Sequence, residues 1–199
     1  MMDSMDLAAL PIGGIRLPWL SRLARAEHEL RDIAGRLCAD RRRMTREVLD
    51  LVADIPDPQI LELGAGNGGL SQLILDNHPT AQVTVTDVNP DAVARLAAEF
   101  AGEPRATVRR MDATAIDAPD AGYHLALFAL SLHHLSTDAA VQVFTEGTRV
   151  ADVLLILDLP RPPWYPAYRT LAARAEPDIV LTLRGGFLRE QIVEARRGR

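Results

Sequence analysis

The chain contains no lysine at all; its 22 basic residues are all arginines. That excludes the Tyr-x-x-x-Lys type of catalytic pair used in dinucleotide-dependent oxidoreductases. Cysteine occurs once, at Cys38, so neither an internal disulfide nor a multi-cysteine metal site can form. No metal is expected. The longest apolar runs, Leu125 to Leu132 and Val153 to Leu157, fall far short of the ~20 residues that a membrane helix needs. The first ten residues hold two acids and no base, unlike the positively charged front of a secretory signal. A cytoplasmic protein with no membrane partner is the expectation. An overall basic balance is also missing: the net charge is −5 and the pI about 5.5. A nucleic-acid partner, which requires cationic groups against phosphates, is therefore not expected.

The 199 residues, 48% hydrophobic and 25% charged, suit one globular domain able to bury its own core. Three segments are distinguishable. Residues 1–55 form an N-terminal helical cap, with apolar positions such as Leu20, Leu23, Leu30, Ile33, Val48 and Val52 at three-to-four spacing. The basic run Arg41-Arg42-Arg43 falls between two expected helices. Residues 56–160 alternate apolar strand candidates (Gln59 to Leu63, Gln82 to Thr86, Ala106 to Arg110, Leu125 to Leu130, Val153 to Asp158) with helical stretches. Asn89-Pro90-Asp91 is a strong helix start, offering a cap, a first-turn proline and an acid at the positive end. Residues 161–199 form a C-terminal aromatic and helical segment. Strands alternating with helices imply an α/β fold: a Rossmann-like, doubly wound, mostly parallel sheet of about five strands with flanking helices.

In such a sheet ligands bind beyond the carboxyl ends of the strands. The most informative stretch is Glu62-Leu63-Gly64-Ala65-Gly66-Asn67-Gly68-Gly69, an apolar strand that ends in an acid and then in closely spaced glycines. Glycine accepts positive φ and lets a ligand approach the backbone. Three glycines between strand and helix also satisfy a dinucleotide pattern. Asp87, 23 residues past Gly64 and at the end of the second strand, would accept from ribose hydroxyls in either case. Glu62 and a third acid, Asp112, discriminate between the two.

From Ile60 to Gly69, with Asp87 and Met111-Asp112-Ala113, the sequence resembles the class I S-adenosylmethionine-dependent methyltransferases of small-molecule type. The resemblance spans about residues 55–160, and the segment Ala129-Leu130-Ser131-Leu132-His133-His134-Leu135 shares it. It implies S-adenosyl-L-methionine as cofactor. By this resemblance Glu62, Gly64, Ala65, Gly66 and Gly68 hold its methionine part, Asp87 its ribose, and Asp112 with Ala113 its adenine. Val88 and Leu130 complete the cofactor-binding set. The chemistry of the cofactor agrees: it carries a carboxylate and a sulfonium but no pyrophosphate, beside which Glu62 would be a poor neighbour. Glu62 is expected to order the glycine loop or to accept from the cofactor's amino group, directly or through water. Arg41, Arg42 and Arg43 are read as a solvated basic turn, with contact to the cofactor carboxylate the alternative.

The implied reaction is in-line methyl transfer to a small-molecule acceptor. His133 and His134, after the fourth strand, are the catalytic candidates, with a structural or positioning role as the competing reading. Asp158, ending the fifth strand, is a further polar candidate. The aromatic stretch Pro160 to Arg169 suits an apolar or aromatic acceptor, a lid's own packing, or a subunit contact. Relative to the family, the sequence is read as lacking the C-terminal strand hairpin: Ile179 to Leu183 is one possible strand, and Phe187 to Ala195 reads as a helix. An uncovered sheet edge then predicts a homodimer. Two alternatives stand beside the methyltransferase: a protein that binds S-adenosylmethionine without methyl transfer or for a cyclase-like reaction, and an NAD-dependent oxidoreductase.

Overall fold

The structure, a computed structural model, describes residues 42–158, 167–176, 178–185 and 191–198. The first expected N-terminal helix, Arg41 and the stretch Pro160 to Pro166 lie outside the described residues. Helix α1 (42–52) precedes β1 (Gln59–Leu63), α2 (Gly69–Asn77), β2 (Gln82–Asp87), α3 (Pro90–Glu99) and β3 (Ala106–Arg110). Then come β4 (Tyr123–Ala129), a 3₁₀ turn (Leu132–His134), α4 (Thr137–Val150), β5 (Ala151–Asp158), α5 (Tyr168–Ala175), β6 (Ile179–Gly185) and β7 (Gln191–Arg197). Arg42 and Arg43 belong to the first turn of α1, where Arg42 is exposed and Arg43 half-buried.

The helix starts follow the local chemistry. Asn89 Oδ1 accepts from the Asp91 N–H at 2.9 Å, with Pro90 as the first helical residue of α3. The Ser136 hydroxyl caps α4 in the same way, accepting from the Ala139 N–H at 3.3 Å.

Among the described residues the sheet has seven strands in the order β3-β2-β1-β4-β5-β7-β6, more than the expected about five. β1 pairs in parallel with both β2 and β4, β2 with β3, and β4 with β5. The chain winds outward from β1 to β3 and then restarts at β4 on the other side of β1, so the switch point lies between β1 and β4.

The expected absence of a C-terminal hairpin is also corrected. β7 inserts antiparallel between β5 and β6, with Ile156 opposite Val193 and Leu181 opposite Ala195. The segment read as helix up to Ala195 is therefore largely strand. An interior strand is covered on both faces and shows no clean alternation of polar and apolar residues. Ile192 joins the core on one face of the sheet while Val193 and Ala195 join the other.

Those two cores hold the domain together. Met44, Val48, Leu70, Ile74, Leu96 and Phe100 of α1 to α3 and the loop end pack against Ile60, Val83, Leu125, Leu127 and Leu155. On the opposite face Val141, Phe144 and Leu171 of α4 and α5 pack against Leu61, Phe128, Leu154 and Ile156. Each large side chain fully buried this way contributes about 1.5–3 kcal/mol. Both layers hold the carboxyl ends of β1 to β5 in fixed relation, and the chemistry-bearing residues collect there. No helix among the described residues is long and apolar enough to cross a membrane.

Candidate cofactor and active site

The turn after β1 carries three glycines in the left-handed region: Gly64 at φ +65°, Gly66 at +59° and Gly68 at +72°. They differ in what surrounds them. A Cβ on Gly68 would sit 2.7 Å from Phe100 and 2.8 Å from Leu96, so its bare Cα serves core packing. A Cβ on Gly64 would lie 3.2 Å from Ser131 Oγ, which marks how closely the turn approaches the loop after β4. A Cβ on Gly66 would meet nothing within 4 Å. Gly66 thus presents its backbone to open space.

Three hydrogen bonds brace the turn. Glu62, 3% exposed at the end of β1, accepts a hydrogen bond from the Ser71 hydroxyl on the first turns of α2, so the contact bridges the two ends of the glycine turn. This is the loop-ordering geometry of the two alternatives for Glu62. Thr86 Oγ1 donates to the Glu62 carbonyl oxygen at 2.8 Å, and the Ala65 N–H donates to the Thr86 carbonyl at 2.8 Å. Neither Ser71 nor Thr86 is legible as a site residue in the sequence. Only the parallel register of β1 with β2, Glu62 opposite Val85, brings Thr86 within reach.

Asp87 ends β2 and lies beside the turn. Its Oδ2 accepts from the Gly66 N–H at 3.0 Å and its Oδ1 from the Asn89 N–H at 2.9 Å. The carboxylate therefore fixes both the glycine turn and the entry to α3. Ionised carboxylate oxygens offer about four acceptor sites, so two remain for further donors. Val88, next in the chain, is 54% exposed, an apolar side chain left open beside this carboxylate.

Asp112 follows two residues after Arg110, the residue paired with Asp87. The Met111 N–H donates to the Asp87 carbonyl at 3.1 Å, which extends the β2–β3 contact to the edge of the site. Asp112 Oδ1 accepts from the Thr114 N–H at 2.8 Å and from Thr114 Oγ1 at 2.7 Å. These bonds hold its carboxyl below the usual range. Ala113 is half-buried in the same turn.

The loop after β4 closes the constellation. Leu130 takes φ +51°, a left-handed conformation that costs a non-glycine residue about 1–2 kcal/mol, and its N–H donates to the Leu157 carbonyl at 2.7 Å. His133 is tied to Asp158 of β5, and His134 is exposed with its ring centroid 4.0 Å from that of His133. In the aromatic stretch, Tyr168 is 6% exposed and belongs to the core, not to a cleft, while Arg169 is exposed.

A separate cleft of about 530 Å³ opens at the amino ends of β4 and β5, lined by residues such as Leu51, His124 and Arg149. It contains none of the residues picked out by the sequence. Among the described residues no group of three or more metal-ligating side chains comes together.

The glycine turn, Asp87, Asp112 and the Leu130 to His134 loop thus share one end of the sheet, at its switch point. The methyltransferase domain family matches residues 60–152, the segment that holds all of them. This segment is thus similar to a methyltransferase domain. The domain has the class I Rossmann-like fold, seen also in human N-acetylserotonin methyltransferase in complex with S-adenosylmethionine (TM-score 0.62, 18% identity, 78% of this chain and 52% of that one). Trans-aconitate 2-methyltransferase of Streptomyces avermitilis is 41% identical over 78 residues, covering 37% of this chain and 28% of that protein. Ribosomal RNA small subunit methyltransferase A of Aromatoleum aromaticum is 23% identical over 132 residues, covering 66% of this chain and 49% of that protein. The chain therefore spans at most about half the length of these relatives.

Proposed function

We propose that the protein is an S-adenosylmethionine-dependent methyltransferase acting on a small-molecule acceptor. The observation that carries this reading is Gly66, whose backbone faces open space while its N–H is gripped by Asp87. A ligand laid along this turn meets backbone rather than side chain, and the remaining acceptor sites of Asp87 suit two ribose hydroxyls. Val88 supplies apolar surface for the adenine ring, and Asp112 Oδ2, the oxygen not engaged by Thr114, suits the adenine amino group. Ala113 and Leu130 complete the adenine side. Glu62, Gly64, Ala65, Gly66 and Gly68 form the cradle for the methionine part.

When bound, S-adenosylmethionine supplies an activated methyl group. The chain itself contributes orientation: the glycine turn is pinned at both ends, so little reorganisation is required on binding. A pyrophosphate would meet the buried acid Glu62 at the same turn, which disfavours the NAD-dependent alternative. The binding-only alternative rested on a missing hairpin, and β6 and β7 remove that ground.

A small-molecule acceptor is favoured over a nucleic acid by the net charge of −5. We place the protein in the cytoplasm, on its single cysteine. A homodimer is proposed on the exposed Val180 and Leu183 of the edge strand β6. Sedimentation that gives only monomer at micromolar concentration would remove the dimer. The activity is tested by incubating the protein with S-adenosylmethionine and a panel of small hydroxyl, amine and carboxylate compounds, read by mass spectrometry. Methylated product is expected, and an absence of turnover across the panel with retained cofactor binding would favour the binding-only protein.

A further inference from the structure

Arg149, in the last turn of α4, commits all five of its N–H donors within the protein. Nε donates to Glu146 Oε1 at 3.0 Å and Nη2 to Glu146 Oε2 at 2.8 Å, a two-point grip between neighbours on one side of the helix. The other donors reach the loop between β3 and β4. Nη2 donates to the Ile116 carbonyl at 2.8 Å, and Nη1 donates to the Ala118 carbonyl at 2.9 Å and to Asp120 Oδ1 at 2.7 Å. Glu146 Oε2 also accepts the Ile116 N–H at 2.8 Å, and the Arg149 carbonyl accepts the Ala121 N–H at 2.9 Å. Both polar groups of the Ile116 backbone are thus held by one pair of side chains. Arg149 lines the cleft at the amino ends of β4 and β5, but it has no donor left for a ligand there.

The other end of the same loop carries Asp112. Thr114 fixes the Asp112 carboxylate within its own turn through its N–H and its hydroxyl, and the Ala115 N–H donates to the Asp112 carbonyl at 3.1 Å. Asp112 and Ala115 form an antiparallel bridge, and Ile116 follows directly, its side chain buried in the core shared with α4. The turn therefore has an anchor on each side: the Met111 N–H on the Asp87 carbonyl before it, and the Glu146–Arg149 pair after it.

We propose that Glu146 and Arg149 are positioning residues for the adenine subsite: by holding the Asp112 turn they set the preference for an adenine over a hypoxanthine base in the cofactor. This rests on the methyltransferase reading, in which Asp112 Oδ2 accepts from the adenine amino group. Hypoxanthine has a carbonyl oxygen in place of that amino group, so the carboxylate faces an acceptor instead of a donor. A hydrogen bond to a carboxylate is short and directional, so a turn that shifts loses it while the ribose contacts of Asp87 remain. Both residues act through Asp112.

The test is calorimetric titration of the full chain with S-adenosylhomocysteine and with S-inosylhomocysteine, its hypoxanthine counterpart. Wild type is expected to prefer the adenine ligand by about tenfold or more. Arg149→Met is expected to cut that preference by roughly fivefold or more, through weaker S-adenosylhomocysteine binding. Asp112→Ala should abolish the preference. Adding Arg149→Met to Asp112→Ala should then change either affinity by no more than about twofold, because the carboxylate through which it acts is gone. Glu146→Gln has the same shape and keeps an acceptor for the Ile116 N–H, but turns an NH₂ toward Arg149. It is expected to lower the preference by a smaller factor, and it decides the matter if Arg149→Met does not fold. A role confined to joining α4 to the loop would weaken both ligands alike. An unchanged preference in the folded variant, or equal losses for both ligands that add to those of Asp112→Ala, therefore overturns the proposal. Wild type that binds both ligands equally removes the adenine role of Asp112 and the proposal with it, whereas wild type that binds no S-adenosylhomocysteine overturns the cofactor reading itself.

Discussion

Replacing Gly66 and Gly68 separately by alanine divides the glycine turn into a part that serves the ligand and a part that serves the fold. Both residues have positive φ, +59° and +72°, so alanine costs about 1–2 kcal/mol of backbone strain at either position. Alanine also restricts the unfolded chain, returning about 0.4–1 kcal/mol. Gly66→Ala adds nothing to this, because its Cβ would find no atom within 4 Å. Its net destabilisation is about 1 kcal/mol, a fall of roughly 2–4 °C in Tm for a chain of this size. Gly68→Ala drives a methyl to 2.7 Å from Phe100 and 2.8 Å from Leu96, both buried, which adds about 1–3 kcal/mol of overpacking. Ligand affinity should run the other way. The Gly66 methyl projects into the space assigned to the cofactor and is expected to weaken S-adenosylhomocysteine binding at least tenfold, about 1.4 kcal/mol. Thermal melts and calorimetric titration of both variants provide the check. Wild-type affinity in Gly66→Ala, or a Tm loss as large as that of Gly68→Ala, would refute the assignment of Gly66 to the ligand.

Three further outcomes are expected. Asp87→Ala removes the acceptor for the Gly66 and Asn89 N–H groups and should lower S-adenosylhomocysteine affinity at least tenfold; unchanged affinity in titration would sink the ribose role. Glu146 is held below the usual carboxyl range by the Arg149 guanidinium, which grips both of its oxygens, with the Ile116 N–H assisting against the opposing effect of burial. Stability from this pair is complete above the ordinary glutamate pKa of about 4.3 and is lost as pH falls through the lowered folded value. Melting curves of Arg149→Met should therefore depend less on pH below about 4 than wild type, and an equal Tm deficit at neutral and acid pH would contradict the pairing. Finally, Val193→Asp buries an unpaired carboxylate in the middle of the sheet and should destabilise by roughly 3 kcal/mol or more, whereas Arg196→Asp, on an exposed side chain, should change stability by about 0.5 kcal/mol or less. Similar denaturation midpoints for the two variants would be incompatible with β7 as an interior strand.

The central parallel strands were legible because each is a short, dense apolar run between turn residues. The expected bounds of β1 and β3 coincide with those observed, while β4 and β5 each start two residues earlier than the apolar pattern suggests. β7 was not legible, since Ile192, Val193 and Ala195 are buried against opposite faces and their spacing imitates a helix. On the site side, glycines and strand-end acids announced themselves through composition and order. Their supports did not: Ser71 reaches Glu62 only because α2 folds back over β1, and Asp158 reaches His133 only through the β4–β5 register and the positive φ of Leu130. Long-range pairings of this kind leave no local pattern for a sequence reading to detect.

Calorimetric titration of the full chain with S-adenosylhomocysteine and, separately, with NAD tests the cofactor assignment most directly. Saturable binding of S-adenosylhomocysteine that Gly66→Ala and Asp87→Ala both weaken is expected, with no comparable binding of NAD. Tight NAD binding in the absence of any S-adenosylhomocysteine binding would contradict it.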